Sequence, residues 1–132
     1  MTVRLIKLAV IYLVVGMTLG IVMGITGDFH LRGVHAHVNL LGWATLGLAA
    51  IVFHIFPELA RTRLASIWFW TYNISLPIAL VSLAFMLTGH AWAAPGVKLG
   101  HTVVWAAGVL FAANVLWSLR TRRAPEGVPV RA

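Results

Sequence analysis

Four apolar runs, each about as long as a bilayer is thick, make up nearly all of this 132-residue chain. They lie near residues 5–25, 34–56, 64–87 and 97–119. A run of roughly 20 apolar residues with few charges reads as a membrane-spanning helix. Inside lipid a lone segment satisfies its backbone groups only as a helix. The breaks carry turn chemistry: Gly27-Asp28, Pro57-Glu58, and Gly89 followed by Pro95-Gly96. Pro77 falls inside the third run and is expected to bend it without ending it. The expected fold is all-α, an integral membrane bundle of four transmembrane helices in one domain over residues 1–123. Residues 124–132, with Pro125, Gly127 and Pro129, are expected to form a mobile cytoplasmic tail.

Composition excludes the soluble alternatives. The chain is 61% hydrophobic and 10% charged, with a mean hydropathy of +0.93. A soluble domain of this size cannot hide so much apolar surface. The formal net charge of +7 follows topology, so no nucleic-acid partner is expected. Arg4, Lys7, Arg61, Arg63, Arg120, Arg122, Arg123 and Arg131 fall on one side of the expected bundle, Arg32 and Lys98 on the other. The positive-inside rule then predicts both termini in the cytoplasm of a bacterial inner membrane. Trp68, Trp70 and Trp117 are expected at the inner interface and Trp92 at the outer one. Arg4 and Lys7 before an apolar run resemble a signal peptide, but no small-x-small cleavage site follows, so the segment reads as a retained helix. Gly16, Gly20 and Gly24 repeat G-x-x-x-G and predict a close helix contact, within the chain or with a second copy. The absence of cysteine excludes disulfides, iron–sulfur clusters, thiolate zinc sites and covalent c-type haem.

The segment Val34-His35-Ala36-His37-Val38-Asn39-Leu40-Leu41-Gly42-Trp43 then carries the chemistry. Histidine inside a membrane helix is costly and needs partners. Positions i and i+2 point about 200° apart on a helix, so His35 and His37 are expected to serve two different pockets. Five of the six histidines, His30, His35, His37, His90 and His101, belong to the outer half of this topology, and His54 to the inner end. His35, Asn39 and Gly42 follow i, i+4, i+7, and His101, Trp105 and Gly108 repeat that spacing. A flat macrocycle needs an axial imidazole with small residues beside it, which Gly42 and Gly108 offer. Asn39 is a candidate to hold an imidazole N–H or a propionate, as ligand histidines require. Asp28 is the one carboxylate among the outer histidines, which disfavours catalytic zinc and di-iron carboxylate sites. Imidazole ligation suits haem iron or copper. Haem b on His35, His37 and His101 is the leading expectation. Copper, with His30 and His90 joining, is the alternative.

The His-Ala-His-x-Asn-Leu-Leu-Gly-Trp run, chiefly within residues 32–57, resembles subunit I of the haem–copper oxidases and the related nitric oxide reductases. It is similar to small bacterial four-helix proteins labelled cytochrome c oxidase subunit I-like. In the large oxidases a His-x-His pair ligates two haems from opposite faces of one helix, so the resemblance makes His35 and His37 each a haem-ligand candidate. That family arranges twelve core helices as three arcs of four, with cofactor histidines on the second helix of each arc. By resemblance, three copies of this chain would form a homotrimer with haem between neighbours, taking His35 from one and His37 from the next. An in-chain haem between the second and fourth helices, using His101, is the competing arrangement. The implied role is electron transfer or handling of O2 or NO, fed by an electron donor or quinol; an enzyme of this kind would be an oxidoreductase. The chain lacks an adjacent His-His pair and places Glu58 and Glu126 at segment ends, which argues against proton-pumping oxygen reduction. A copper-binding membrane protein and a cofactor-free assembly subunit of a respiratory oxidase are the other readings. Tyr72, Asn73 and Ser75 form a polar patch expected to satisfy backbone carbonyls freed by Pro77 rather than to bind a quinone.

Overall fold

The computed structural model describes residues 1–120. The expected tail at 124–132, and Arg122, Arg123 and Arg131, lie outside the described residues. Among the described residues, four helices are long and apolar enough to cross a membrane. They are α1 (Thr2–Thr26), α2 (Arg32–Ile55), α3 (Arg63–Leu87) and α4 (Ala94–Arg120). Short 3-10 turns at Leu59–Arg61 and Ala91–Ala93 join α2 to α3 and α3 to α4.

The helix ends follow local chemistry. Gly27 closes α1 in the left-handed conformation, φ 68°, and its N–H donates to the Met23 carbonyl at 2.9 Å. The Thr62 hydroxyl caps α3 by accepting from the Ala65 N–H at 3.0 Å. Pro77 lies inside α3, which continues past it. Pro95 and Gly96 do not form the break expected of them. They sit in the first turn of α4, where a proline displaces no helical hydrogen bond, and the turn falls at Gly89, φ 93°.

The helices pair as two hairpins, α1 along α2 and α3 along α4. Leu5, Ala9, Leu46, Ala49, Ala50, Phe53, Leu76 and Ala79 are buried in a shared core. Trp68 joins them. Instead of facing the interface it is 1% exposed, edge-on to Phe53 at 5.6 Å and 4.8 Å from the Phe111 ring. Its large apolar ring does more there than at a headgroup, whereas Trp70, Trp92 and Trp117 remain exposed. Gly100 brings α4 close to α3: a Cβ at this position would stand 2.8 Å from the Ala79 Cα.

One polar knot ties the end of the bundle that carries the α2–α3 turn. Asn114, 1% exposed, donates to the Leu59 carbonyl at 3.1 Å and accepts from the Thr62 hydroxyl at 2.8 Å. Asn114→Ala removes both bonds and leaves the Thr62 hydroxyl and the Leu59 carbonyl only each other, at 3.1 Å. We expect a loss of about 1–3 kcal/mol, read as a lower unfolding midpoint in detergent.

Candidate functional site

The structure sends His35 and His37 to different neighbours. The His35 Nδ1–H donates to the Gly16 carbonyl of α1 at 2.9 Å. The His37 Nδ1–H donates to the Gly33 carbonyl of its own helix at 2.8 Å, and the ring meets His101 of α4 edge to face, centroids 5.2 Å apart at 89°. The His101 Nδ1–H donates to the Val97 carbonyl at 2.9 Å. A carbonyl only accepts, so each Nδ1 carries the proton. In the neutral ring Nε2 then keeps its lone pair, the state of an imidazole set to ligate a metal.

α1 builds the His35 side. A Cβ at Gly20 would reach the His35 Cε1 at 3.0 Å, and one at Gly16 would stand 2.5 Å from the Asn39 amide. The glycine repeat is thus used within the chain, against α2, except at Gly24, where nothing lies within 4 Å. Asn39 does not hold an imidazole: its Nδ2 donates to the His35 carbonyl one turn back, at 2.8 Å. The carbonyl of Gly16 takes the His35 N–H instead. Gly42 is buried, and the space beside it is filled by Tyr12 of α1.

Open space lies at Gly108, where an added Cβ meets nothing within 4 Å. Gly108 lines an apolar groove of about 500 Å3 between α2 and α4, together with Leu41, Thr45, Tyr72, His101 and Trp105. His101, Trp105 and Gly108 share that wall.

The segment after the histidines is not α-helical. Val38–Ala44 forms a π-helix, and α geometry resumes at Thr45. The wider turn shifts the carbonyl acceptors by one residue. The Thr45 hydroxyl donates to the Leu40 carbonyl at 2.8 Å. The Tyr72 hydroxyl reaches from α3 to the Leu41 carbonyl at 3.0 Å. Tyr72 therefore satisfies a carbonyl of α2 rather than of its own helix. Asn73 Nδ2 and Ser75 Oγ do bond α3 carbonyls, Phe69 and Thr71, both at 2.7 Å. Neither the π turn nor Tyr72 is visible in the periodicity of the run. The matched four-residue spacings of Gly16 with Gly20 and of His35 with Asn39 are the signal that pairs α1 with α2.

The remaining histidines stand apart. His30 is exposed and paired with Asp28, whose carboxylate also accepts from the His30 backbone N–H at 2.9 Å. The backbone bond first, and the side-chain bond with it, hold the Asp28 carboxyl below its ordinary pKa. Its folded value is depressed, so the pairing is present above the unfolded pKa and is lost as pH falls through the folded one. His90 packs edge-on to Phe85 at 5.6 Å, and His54 is exposed at the far end of α2. Among the described residues, no group of three or more His, Cys, Asp or Glu is placed to hold one metal ion.

Residues 2–110 match the family described as "Protein of unknown function (DUF2871)". No curated protein and no solved structure matches the chain.

Proposed function

We propose that this chain, which belongs to the DUF2871 family, is a multi-pass membrane protein that holds haem b through its outer-end imidazoles. One observation carries the reading. His35, His37 and His101 each spend Nδ1 on a main-chain carbonyl, which leaves Nε2 free to ligate. The groove at His101 suits the group: it is apolar, walled by Trp105 and Leu41, and open at Gly108. Bound haem would supply a one-electron couple, or a place for a diatomic gas where an axial position stays open.

His37 and His101 do not take a macrocycle between them inside one chain. Two imidazoles on opposite axial positions, with bonds of about 2.0–2.1 Å, would hold their centroids roughly 6 Å apart in line. Here the centroids are 5.2 Å apart, short of that separation. A haem on either ring would then take a second ligand from another copy, or keep that position open. This favours the oxidase-like homotrimer in the bacterial inner membrane, both termini cytoplasmic and the histidines toward the periplasm. Haem-to-protomer ratio and particle mass in detergent test the assembly. A trimer with one haem per chain is expected; a haem-loaded monomer with both axial positions filled would contradict it.

A second reading follows from the same ring pair. Two imidazoles on one tetrahedral ion, with metal–nitrogen bonds of about 2.0 Å, place their centroids roughly 5 Å apart, close to the separation of His37 and His101. Copper is among the ions that suit imidazole without carboxylates. Copper retained by haem-free protein and lost in His37→Ala would favour it.

A further inference from the structure

We propose that Tyr72 is a positioning residue, which holds the π turn of α2 and through it aims His37 at His101. Each residue turns an α-helix by about 100°, and a π turn accommodates one extra residue without breaking the helix. The inner half of α2 is fixed in azimuth by Leu46, Ala49, Ala50 and Phe53, all buried in the core. The outer half carries His35 and His37. The seven residues Val38–Ala44 between these halves set the angle from one to the other. Were they α-helical, the histidines would turn by about 100° relative to the core half. His37 would then leave His101, and His35 would leave the Gly16 carbonyl.

A π turn needs a reason to persist, because its hydrogen bonds are poorer and its carbonyls sit out of register. Two side chains provide one. Thr45 takes the Leu40 carbonyl from within α2. Tyr72, 2% exposed, takes the Leu41 carbonyl from α3. Of these two, only Tyr72 ties the turn to another helix. Leu41, Thr45 and Tyr72 also line the groove that contains His101. One phenol thus sets both the groove wall and the histidine azimuth.

The positioning role rests on the ligand reading of these histidines, but its test does not. The chain has no native cysteine, so His37→Cys and His101→Cys together introduce a unique thiol pair. A short bis-maleimide, which adds one thiol at each end to give two thioethers, should join them when applied to the purified chain in the Tyr72 background. Adding Tyr72→Phe, which removes one oxygen and keeps the ring, should lower the yield at least fivefold. Deleting Leu40, which is 64% exposed, should remove the extra residue, so that α geometry keeps both halves of α2 at the same azimuth and the link forms even without the Tyr72 hydroxyl. Should the deletion fail to fold, Tyr72→Phe decides alone. Equal crosslinking with and without the Tyr72→Phe substitution would overturn the proposal. A changed yield in a chain that binds no haem would uphold the positioning role and end the haem reading.

Discussion

Gly16→Val is expected to pull α1 away from α2 and to release His35. A Cβ at this position would stand 2.5 Å from both terminal atoms of the Asn39 amide. Moving that amide aside breaks the bond from its Nδ2 to the His35 carbonyl. The Gly16 carbonyl is itself the acceptor for the His35 imidazole. Overpacking of this kind costs about 1–3 kcal/mol, and the lost bond frees the ring to rotate. Unfolding in detergent should show a clearly lower midpoint, and haem uptake should fall with it. Gly24→Val is the matched control on the same repeat, since nothing lies within 4 Å of the added group. It should behave as the parent. Equal damage at both positions would mean that the repeat serves a second copy rather than α2.

Gly108→Leu separates binding from stability. The added side chain enters open space, so the fold should be kept and the unfolding midpoint should stay within about 0.5 kcal/mol of the parent. The same side chain fills the groove beside His101 and Trp105. A macrocycle seated there loses its room, and haem content should drop at least tenfold. Gly42→Ala should do the reverse. Its Cβ runs into Tyr12, so stability should fall first. Full haem content in folded Gly108→Leu would remove this groove from the account.

Much of this arrangement is legible in the chain. The four apolar runs reach the structure as helices with ends displaced by a few residues, because hydropathy marks the lipid-facing length and not the caps. α1 starts at Thr2 and carries Arg4 and Lys7 inside it. The i, i+2 spacing of His35 and His37 sends them to different helices, which follows from rotation alone. What the sequence hides is tertiary. Trp68 reads as an interfacial tryptophan until Phe53 and Phe111 are seen against it. Gly42 reads as room for a ligand until Tyr12 is seen to fill it. The π turn depends on a hydroxyl from α3, 31 positions along the chain, and no pattern within α2 announces it.

The proposed haem site uses the three tethered imidazoles and not the other histidines. The six histidines divide into two sets for that purpose. His35, His37 and His101 have Nδ1 held by main-chain carbonyls; His30, His54 and His90 are exposed. The most direct measurement is the absorption spectrum of the chain expressed with ample haem and purified in detergent, beside the two triple alanine variants. The parent and the His30, His54, His90 variant should both show a Soret band, and the His35, His37, His101 variant should show none. No Soret band in the parent, or an equal band in both variants, would contradict the account.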